Sequence, residues 1–244
     1  MRYLTDSHTM KAVDNCSIHE FGIPSVVLME RAALGVSAFL RKHAEHNNKK
    51  TGIKVVCVCG SGNNGADGLA AARQLNEDGI DVHVVFAGTS EGTDEYRLQK
   101  SIVGNLGIDC VEYDGNIDFS EYDYIIDAIF GIGLSRAVEG RYAQVIEAIN
   151  KARENPDTKI IAVDIASGIS ADNGQIMGIA VGAFLYFKFL SSFYIRWSVR
   201  IIKILLKPAC FILKNVVRII TIPVRSLKMY MKRRKDMGKK EAQG

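Results

Sequence analysis

The sequence predicts an α/β fold in which a parallel sheet is covered by helices on both faces. Four short apolar runs, rich in β-branched residues, alternate with helical patterns along the first two thirds of the 244-residue chain. Strands that are buried on both faces have continuous apolar sequences, whereas half-exposed strands alternate apolar and polar residues. Right-handed crossovers between such strands give a doubly wound, Rossmann-like three-layer α/β/α sandwich.

Two helices are predicted ahead of the sheet. The first covers Ser7–Glu20, capped by Asp6 or Ser7, and "FGIP" ends it. Ser25 is then the expected cap of a longer amphipathic helix over Val26–His46.

The strands and the remaining helices follow in alternation. Each strand is four to seven residues long, and each helical pattern follows a turn that contains glycine or a small polar residue. The predicted strands are Lys54–Cys59, Val82–Ala87, Tyr124–Phe130 and Lys159–Ile165, with a weaker one at Cys110–Tyr113, and the predicted helices are Gly65–Asp78, Asp94–Leu106 and Tyr142–Glu154.

The chain changes character after Gly178. Residues 1–178 carry 16 Lys and Arg against 25 Asp and Glu, whereas residues 179–244 carry 15 against 2. The run Ile179–Ile195 holds a single charged residue, Lys188, over 17 residues, which is near the lower limit for crossing a bilayer. Basic residues then recur every three, four or seven positions. We therefore predict one domain over 1–178 and an apolar and basic helical tail over 179–244 that contacts a membrane.

Composition also bears on the compartment and on the partners. The five cysteines form no CxxC pair, and an odd count without a disulfide framework indicates a reducing compartment. The N-terminal sequence lacks the apolar core of a signal peptide. We expect a cytoplasmic protein, with the tail at the inner face of the membrane. No nucleic-acid partner is expected, because no aromatic platform or recognition motif accompanies the polybasic end.

Polar residues collect where three of the predicted strands end. "GSGNNGADG" follows the first strand, "FGIGLSRAVEG" follows the strand that carries Asp127, and Asp164 is followed by "IASG", which contains Ser167. Carboxyl ends of parallel strands meet at one edge of a sheet, where ligands bind. Although Asp or Ser beside Gly is often only turn chemistry, three such turns together predict a single polar site.

The stretch Gly60–Gly65 matches the GxGxxG pattern of dinucleotide-binding folds, but its surroundings do not. That fingerprint requires an acidic residue at the end of the second strand, and Phe86-Ala87-Gly88 supplies none. No Lys-Ser/Thr pair follows the glycines, which argues against a P-loop. A standard dehydrogenase or NTPase is therefore not expected. The loop instead predicts an anion site at a helix N-terminus, surrounded by amide and carboxylate oxygens.

Four motifs together resemble one protein family. "GIPSVVLMERAA", "GSGNNGADGL", "DAIFGIGLSR" with a following "EG", and "VDIASGISADNG" look like the YjeF N-terminal domain, the NAD(P)H-hydrate epimerases, over about residues 1–178. The resemblance implies a Rossmann-like sandwich and an isomerase that interconverts the R and S forms of NADHX and NADPHX, which are hydrated at C6 of the nicotinamide ring. It also implies an S-specific dehydratase as functional partner, and a homodimer, since the family often dimerises.

The resemblance implies roles for particular residues as well. A K⁺ ion, one per subunit, is expected on the side chains of Asn64, Asp127 and Ser167, whose oxygens suit a large hard cation. The implied substrate-binding residues lie in two loops and at one strand end: Asn63, Asn64, Gly65, Ala66, Asp67, Gly131, Ile132, Gly133, Leu134, Ser135, Arg136, Ala137 and Asp164.

Epimerisation at C6 requires a proton-transfer group, because a bond to C6 must break and re-form. Asp164 and Asp67 are the candidate catalytic residues, and the position of Asp164 at a strand end favours it. The alternative for Asp67 is a carboxylate that only stabilises the helix N-terminus through the helix dipole.

The chain departs from the family pattern in four places. Ala66, Ile132 and Ala166 stand where Gly, Thr and Pro are common, and all three changes keep the oxygen ligands. Past "DNGQIMG", further strands and a lysine-bearing segment are usual, so the domain is predicted to be truncated at its C-terminal end. The tail there is similar to the C-terminal part of the spore cortex biosynthesis protein YabQ. Two alternatives to the enzyme follow: a nucleotide-binding module without turnover, and a membrane-associated sporulation component.

Overall fold

The computed structural model describes residues 7–47, 51–183 and 185–186 of the chain. Within them, six parallel strands form one sheet, which confirms the predicted α/β fold. The sheet order is β3-β2-β1-β4-β5-β6. The strands are β1 (Lys54–Cys59), β2 (Asp81–Phe86), β3 (Asp109–Glu112), β4 (Tyr124–Ala128), β5 (Lys159–Ala162) and β6 (Leu185–Tyr186).

Five helices accompany the sheet in the described part of the chain. The chain runs outward from β1 to β3, then returns to β4 and runs the other way, so the order reverses between β1 and β4. Right-handed crossovers therefore put helices on both faces, with ligand binding expected at the reversal. The helices are α1 (Ser7–His19), α2 (Ser25–His46), α3 (Asn63–Glu77), α4 (Asp94–Asn105) and α5 (Gly140–Ala152).

The larger hydrophobic core lies between one face of the sheet and α2, α3 and α4. Alternate residues of β1, Val55, Cys57 and Cys59, point into it, and each is fully buried. The intervening Val56 and Val58 are equally buried. Burial on both faces explains why β1 has an uninterrupted apolar sequence, and why its bounds agree with the prediction.

The predicted N-terminal caps fit less well than the helices themselves. Ser25 is the first residue of α2 rather than its cap, and Pro24, which precedes it, makes no side-chain capping bond. The Ser25 hydroxyl donates instead to Glu95 Oε1 at 2.7 Å. The prediction that Ser25 caps α2 is therefore wrong, because Ser25 already lies in the first turn, where its side chain follows the helical backbone instead of preceding it. Ser7 likewise lies inside α1 as its first residue.

The sheet continues beyond Gly178. The Asn150 side chain of α5 donates to the carbonyl of Ala180 at 2.9 Å and accepts from the backbone N–H of Gly182 at 2.8 Å. Val181 between them is buried, and β6 then pairs with β5. These residues belong to the stretch that the sequence analysis assigns to the tail. The strand at Leu185–Tyr186 replaces the helix expected there, because the exposed edge of β5 accepts a further parallel strand.

Most of the predicted tail lies outside the described residues, and so does its similarity to YabQ. Among residues 7–47, 51–183 and 185–186, no helix is both long and apolar enough to cross a membrane. The run Ile179–Ile195 extends past that part of the chain, so the membrane contact stays a prediction.

Candidate active site

The glycine loop after β1 is shaped by close backbone contact. A Cβ added at Gly65 would overlap the carbonyl oxygen of Gly60, and one added at Gly60 would overlap the carbonyl oxygen of Ile129. Neither residue has a positive φ angle. Only glycine leaves room for these approaches, so the first turn of α3 packs on the backbone that follows β1, and that backbone packs on the residue that follows β4.

A buried hydrogen-bonded pair links the ends of β4 and β5. Asp127 and Ser167 are both fully buried. The Ser167 hydroxyl donates to Asp127 Oδ1 at 2.5 Å, and the Ser167 N–H donates to Asp127 Oδ2 at 2.8 Å. The N–H of Phe130 in turn donates to the Ser167 oxygen at 2.8 Å. Two residues that the sequence analysis assigns to one metal site are therefore in direct contact.

Asp164, Gly131 and Asn64 meet beside this pair. The N–H of Ile132 donates to Asp164 Oδ2 at 2.8 Å. A Cβ at Gly131 would lie 2.6 Å from Asp164 Oδ2 and 3.3 Å from Asn64 Oδ1. Among the described residues, the buried Asn64 Nδ2 atom has no hydrogen-bond partner. All three predicted turns thus converge, and they leave one buried polar atom available to a ligand.

The second loop is held at its ends and is open in its middle. Ile132 is fixed through Asp164, and the N–H of Val138 donates to the carbonyl of Met177 at 2.9 Å. Between these anchors Leu134 is half-buried. The predicted substrate contacts that face solvent are Gly133, Ser135, Arg136 and Ala137.

The substrate-binding residues predicted on α3 differ in exposure. Asn63, the first residue of the helix, is exposed, Asn64 is half-buried, and Gly65 and Ala66 are buried. Gly62 precedes the helix, and no side chain caps it. The N–H groups of the first turn are therefore not satisfied by a cap, which is the arrangement expected of an anion site.

Asp67 does not act as a helix-terminal carboxylate. It is the fifth residue of α3, beyond the first turn in which the helix dipole is effective. Its pKa is raised well above the ordinary value, first by burial and then by the charges of Asp164 and Asp14. Although Asp67 retains some exposed surface, burial outweighs the dipole, so the dipole interpretation of Asp67 is wrong.

A third carboxyl, that of Asp14 on α1, interacts electrostatically with Asp164 and was not among the predicted site residues. Burial, followed by the charge of Asp164, raises the pKa of Asp14 to about 6. The signal was present in the sequence: the buried residues of α1 are Met10, Val13, Cys16 and Ser17, and Asp14 lies at helical spacing from Met10 and Ser17. A carboxyl on the core-facing side of a helix is uncommon without a reason.

The end of β2 supplies a different surface. The Ser61 and Ser90 hydroxyls are hydrogen-bonded at 2.5 Å, and a Cβ at Gly88 would lie 2.5 Å from the Tyr142 hydroxyl. The ring centroids of Tyr142 and Phe130 are 4.7 Å apart. From the sequence, β2 is predicted only to end without a carboxylate. The hydroxyls and aromatic rings that meet there were not predictable, because they come from segments that are distant in sequence.

The side chains at the centre of the site offer mainly oxygen atoms to a metal ion. The described residues contain no group of three or more His, Cys, Asp or Glu side chains placed to hold a metal ion. Burial raises the pKa of Asp127 to about 6, against the opposing effect of its bonds from Ser167, and no Lys or Arg of the described chain forms an ion pair with it. Carboxylate, hydroxyl and amide oxygens beside an unpaired buried acid suit a hard monovalent cation.

Comparison with known proteins identifies a family for this chain. The family described as "YjeF-related protein N-terminus" matches residues 25–190. The NAD(P)H-hydrate epimerase of Limosilactobacillus fermentum is 42% identical over 175 residues, which cover 71% of this chain and 79% of that protein. The enzyme of the same name from Oenococcus oeni is 43% identical over 172 residues, covering 70% and 77%.

A solved structure supports the fold. The crystal structure of yeast ynu0, YNL200c, superposes with a TM-score of 0.67 at 24% sequence identity, covering 80% of this chain and 84% of that one. The resemblance found in the four motifs is thus confirmed over most of the chain. The chain belongs to the family of the YjeF-related protein N-terminus.

Proposed function

We propose that this protein is an isomerase that interconverts the R and S forms of NADHX and NADPHX. Membership of the family and the name shared by its relatives support the reaction class. The observation that carries the proposal is the meeting of Asp164, Gly131 and Asn64, one residue from each of three turns, at the reversal of strand order.

The two candidate catalytic residues have different environments. Burial, followed by the charges of Asp164 and Asp14, raises the pKa of the Asp67 carboxyl well above its ordinary value, which favours its protonated form. Asp164 differs in that its Oδ2 accepts an N–H from Ile132. Epimerisation at C6 requires both a proton donor and a proton acceptor at one site. We assign Asp67 as the proton donor and Asp164 as the proton acceptor.

Substrate binding follows from the same elements. The uncapped N-terminus of α3, where Asn63 and Asn64 lie, is proposed to receive the pyrophosphate. The second loop, from Gly131 to Ala137, would cover the ligand, with Arg136 adding positive charge.

Potassium is proposed as the cofactor, one ion per subunit. Its side-chain ligands would be Asn64, Asp127 and Ser167, which fit because each can offer an oxygen and because Asp127 is a buried acid without a basic partner in the described chain. When bound, the ion supplies positive charge that offsets the substrate phosphates. Asp127 and Ser167, which are hydrogen-bonded to each other, hold together the chain segments at the ends of β4 and β5.

The proposal also covers partners and location. An S-specific NAD(P)HX dehydratase is the proposed functional partner, and a homodimer, a cytoplasmic location and a tail at the inner membrane face stay predictions. A domain over 1–178 with a separate tail is retained as a prediction, with the addition that the strand at Leu185–Tyr186 continues the sheet.

A stereospecific assay tests the function. Purified protein is incubated with R-NADHX, and the R and S forms are separated by chromatography over time. We expect Asp164→Asn to lower the rate at least 100-fold, whereas Asp157→Asn, which removes an exposed carboxyl, leaves it unchanged. A wild-type rate equal to spontaneous epimerisation rejects the enzyme and favours the alternative of a binding module without turnover.

A further inference from the structure

Three charged side chains meet at the carboxyl ends of β2 and β3. Glu112, the last residue of β3, is the register partner of Phe86, the last residue of β2. Its Oε2 atom is 3.3 Å from Arg141 Nη2, and its Oε1 atom is 3.5 Å from Lys100 Nζ. Two cations therefore share one carboxylate. The cluster keeps an excess of positive charge in a part of the chain, residues 1–178, where acidic residues outnumber basic ones.

The Arg141 guanidinium is held at the end of β2 by the backbone as well as by Glu112. Its Nε donates to the carbonyl of Ala87 at 3.0 Å, and its Nη2 donates to the carbonyl of Phe86 at 3.3 Å. Nη1 makes no hydrogen bond to any residue that the structure describes, and the side chain is 35% exposed. The guanidinium is thus fixed in position and still has donors for a ligand.

The place of Arg141 in its own helix also favours an anionic ligand. Arg141 is the second residue of α5. The helix dipole disfavours a positive charge in the first turn of a helix. An anion beside the guanidinium would offset this unfavourable interaction, as Glu112 does in part.

The end of β2 adjoins the loop that is proposed to receive the pyrophosphate. The hydroxyl of Ser61, in the glycine loop, is hydrogen-bonded to Ser90 Oγ at 2.5 Å. A Cβ at Gly88 would lie 3.0 Å from Ser61 Oγ and 2.5 Å from the Tyr142 hydroxyl. Doubly wound folds that hold a pyrophosphate at this loop bind the adenosine ribose past the end of the second strand. The same path here leads from the glycine loop to Arg141.

We propose that Arg141, assisted by Lys100, binds the 2′-phosphate that distinguishes NADPHX from NADHX, so that the protein prefers NADPHX. In related folds an acidic residue after β2 accepts the 2′-hydroxyl of NAD, whereas an Arg there accommodates the 2′-phosphate of NADP. Phe86-Ala87-Gly88 supplies no carboxylate, and Glu112 is already paired with two cations. The inference rests on the proposed function and adds a substrate preference to it.

The test compares kcat/KM for NADPHX with kcat/KM for NADHX, each supplied to the full chain as the R form. Arg141→Met is expected to lower the NADPHX-to-NADHX ratio about tenfold or more, because hydrogen bonds between two charged groups are lost. Lys100→Met leaves the bonds between Arg141 and β2 in place and is expected to lower the ratio about threefold, as an exposed ion pair would. Glu112→Gln removes a competing carboxylate and is expected to raise the ratio.

Arg31→Met is the matched control, because Arg31 is an exposed cation of α2 and the change removes one charge of the same sign. It should leave the ratio unchanged. If Arg141 only tied α5 to the carbonyls of Phe86 and Ala87, Arg141→Met would lower kcat/KM for both substrates by the same factor. That result, or equal kcat/KM for the two substrates in the wild type, would overturn the proposal. If Arg141→Met does not fold, an unchanged ratio in Lys100→Met would overturn it.

Nucleotide binding gives a readout that does not depend on turnover. Adenosine 2′,5′-bisphosphate and AMP are titrated into the wild type and the variants by calorimetry. The wild type is expected to bind the bisphosphate about tenfold or more tightly than AMP, and Arg141→Met to bind the two with similar affinity. A wild type without epimerase activity would remove the proposed function, whereas equal affinities of the wild type for the two nucleotides would remove this inference alone.

Discussion

The loop that follows β4 contains two glycines, and substituting each in turn tests whether one particular contact in the site matters. The comparison separates the loss of that contact from the general effect of a stiffer loop. Gly131 and Gly133 are two residues apart, and neither has a positive φ angle. A Cβ at Gly131 would lie 2.6 Å from Asp164 Oδ2, whereas a Cβ at Gly133 would have no atom within 4 Å. Gly131→Ala should therefore disturb Asp164, and Gly133→Ala serves as its matched control.

The expected loss of activity in Gly131→Ala can be worked out from the distance that the Asp164 carboxylate must move. An ordinary contact between a methyl carbon and an oxygen begins near 3.4 Å, so the Asp164 carboxylate must move by about 0.8 Å. That movement weakens its 2.8 Å bond from the Ile132 N–H. A misplacement of about 1 Å typically costs on the order of 100-fold in rate. We expect kcat/KM to fall about 10- to 100-fold, which corresponds to roughly 1.4 to 2.7 kcal/mol of transition-state stabilisation.

The assay is the R-to-S conversion used for the wild type, with thermal unfolding measured in parallel. Weakening one hydrogen bond to a charged group costs about 1 to 2 kcal/mol of stability, so the Tm of Gly131→Ala should fall by roughly 2 to 8 °C. Gly133 belongs to the same proposed binding loop, so Gly133→Ala controls for loop stiffness: it should leave the Tm unchanged and lose less kcat/KM than Gly131→Ala. Wild-type activity in Gly131→Ala, or an equal loss in both variants, would refute the contact between Gly131 and Asp164 as the cause.

Three further predictions address the cation, the sheet edge and the cysteines. Ser167→Ala should raise the K⁺ concentration needed for half-maximal activity at least fivefold, as measured in a titration in which K⁺ replaces Na⁺. The same K⁺ requirement in the variant and the wild type would argue against Ser167 as a ligand. Asn150→Ala removes bonds to Ala180 and Gly182 and should lower the free energy of unfolding in urea by about 1 to 3 kcal/mol; a loss below 0.5 kcal/mol would contradict this. Cys57, fully buried with a raised pKa, should be alkylated only on unfolding, as peptide mass spectrometry would reveal.

The order of elements was predictable because burial determines it. Continuous apolar runs such as Lys54–Cys59 identify strands that are covered on both faces, and β1 was predicted with its observed bounds. Strand ends were less predictable. The predicted run Tyr124–Phe130 stops as a strand at Ala128, because the N–H of Phe130 bonds to the Ser167 hydroxyl instead of a neighbouring strand. Such a partner, 37 residues away, leaves no local signal.

The convergence of the three turns was also predictable, since it depends only on the parallel order of the strands. Asp127 and Ser167 are in contact and Asn64 lies beside Gly131, as expected of turns that share one edge. The charge state of the site was not predictable in this way. For Asp67, helix position alone suggested a carboxylate stabilised by the dipole, whereas burial and two other acids raise its pKa. Those two acids come from a strand end and from a helix about fifty residues earlier in the chain.

The acidity of the site therefore depends on tertiary packing that no single motif records. The glycines let β4 and α3 approach each other, and α1 adds the carboxyl of Asp14 to those of Asp67 and Asp164. Removing the charge of Asp14 should lower the raised pKa of Asp67, because that charge is one of the causes that raise it, after burial and the charge of Asp164.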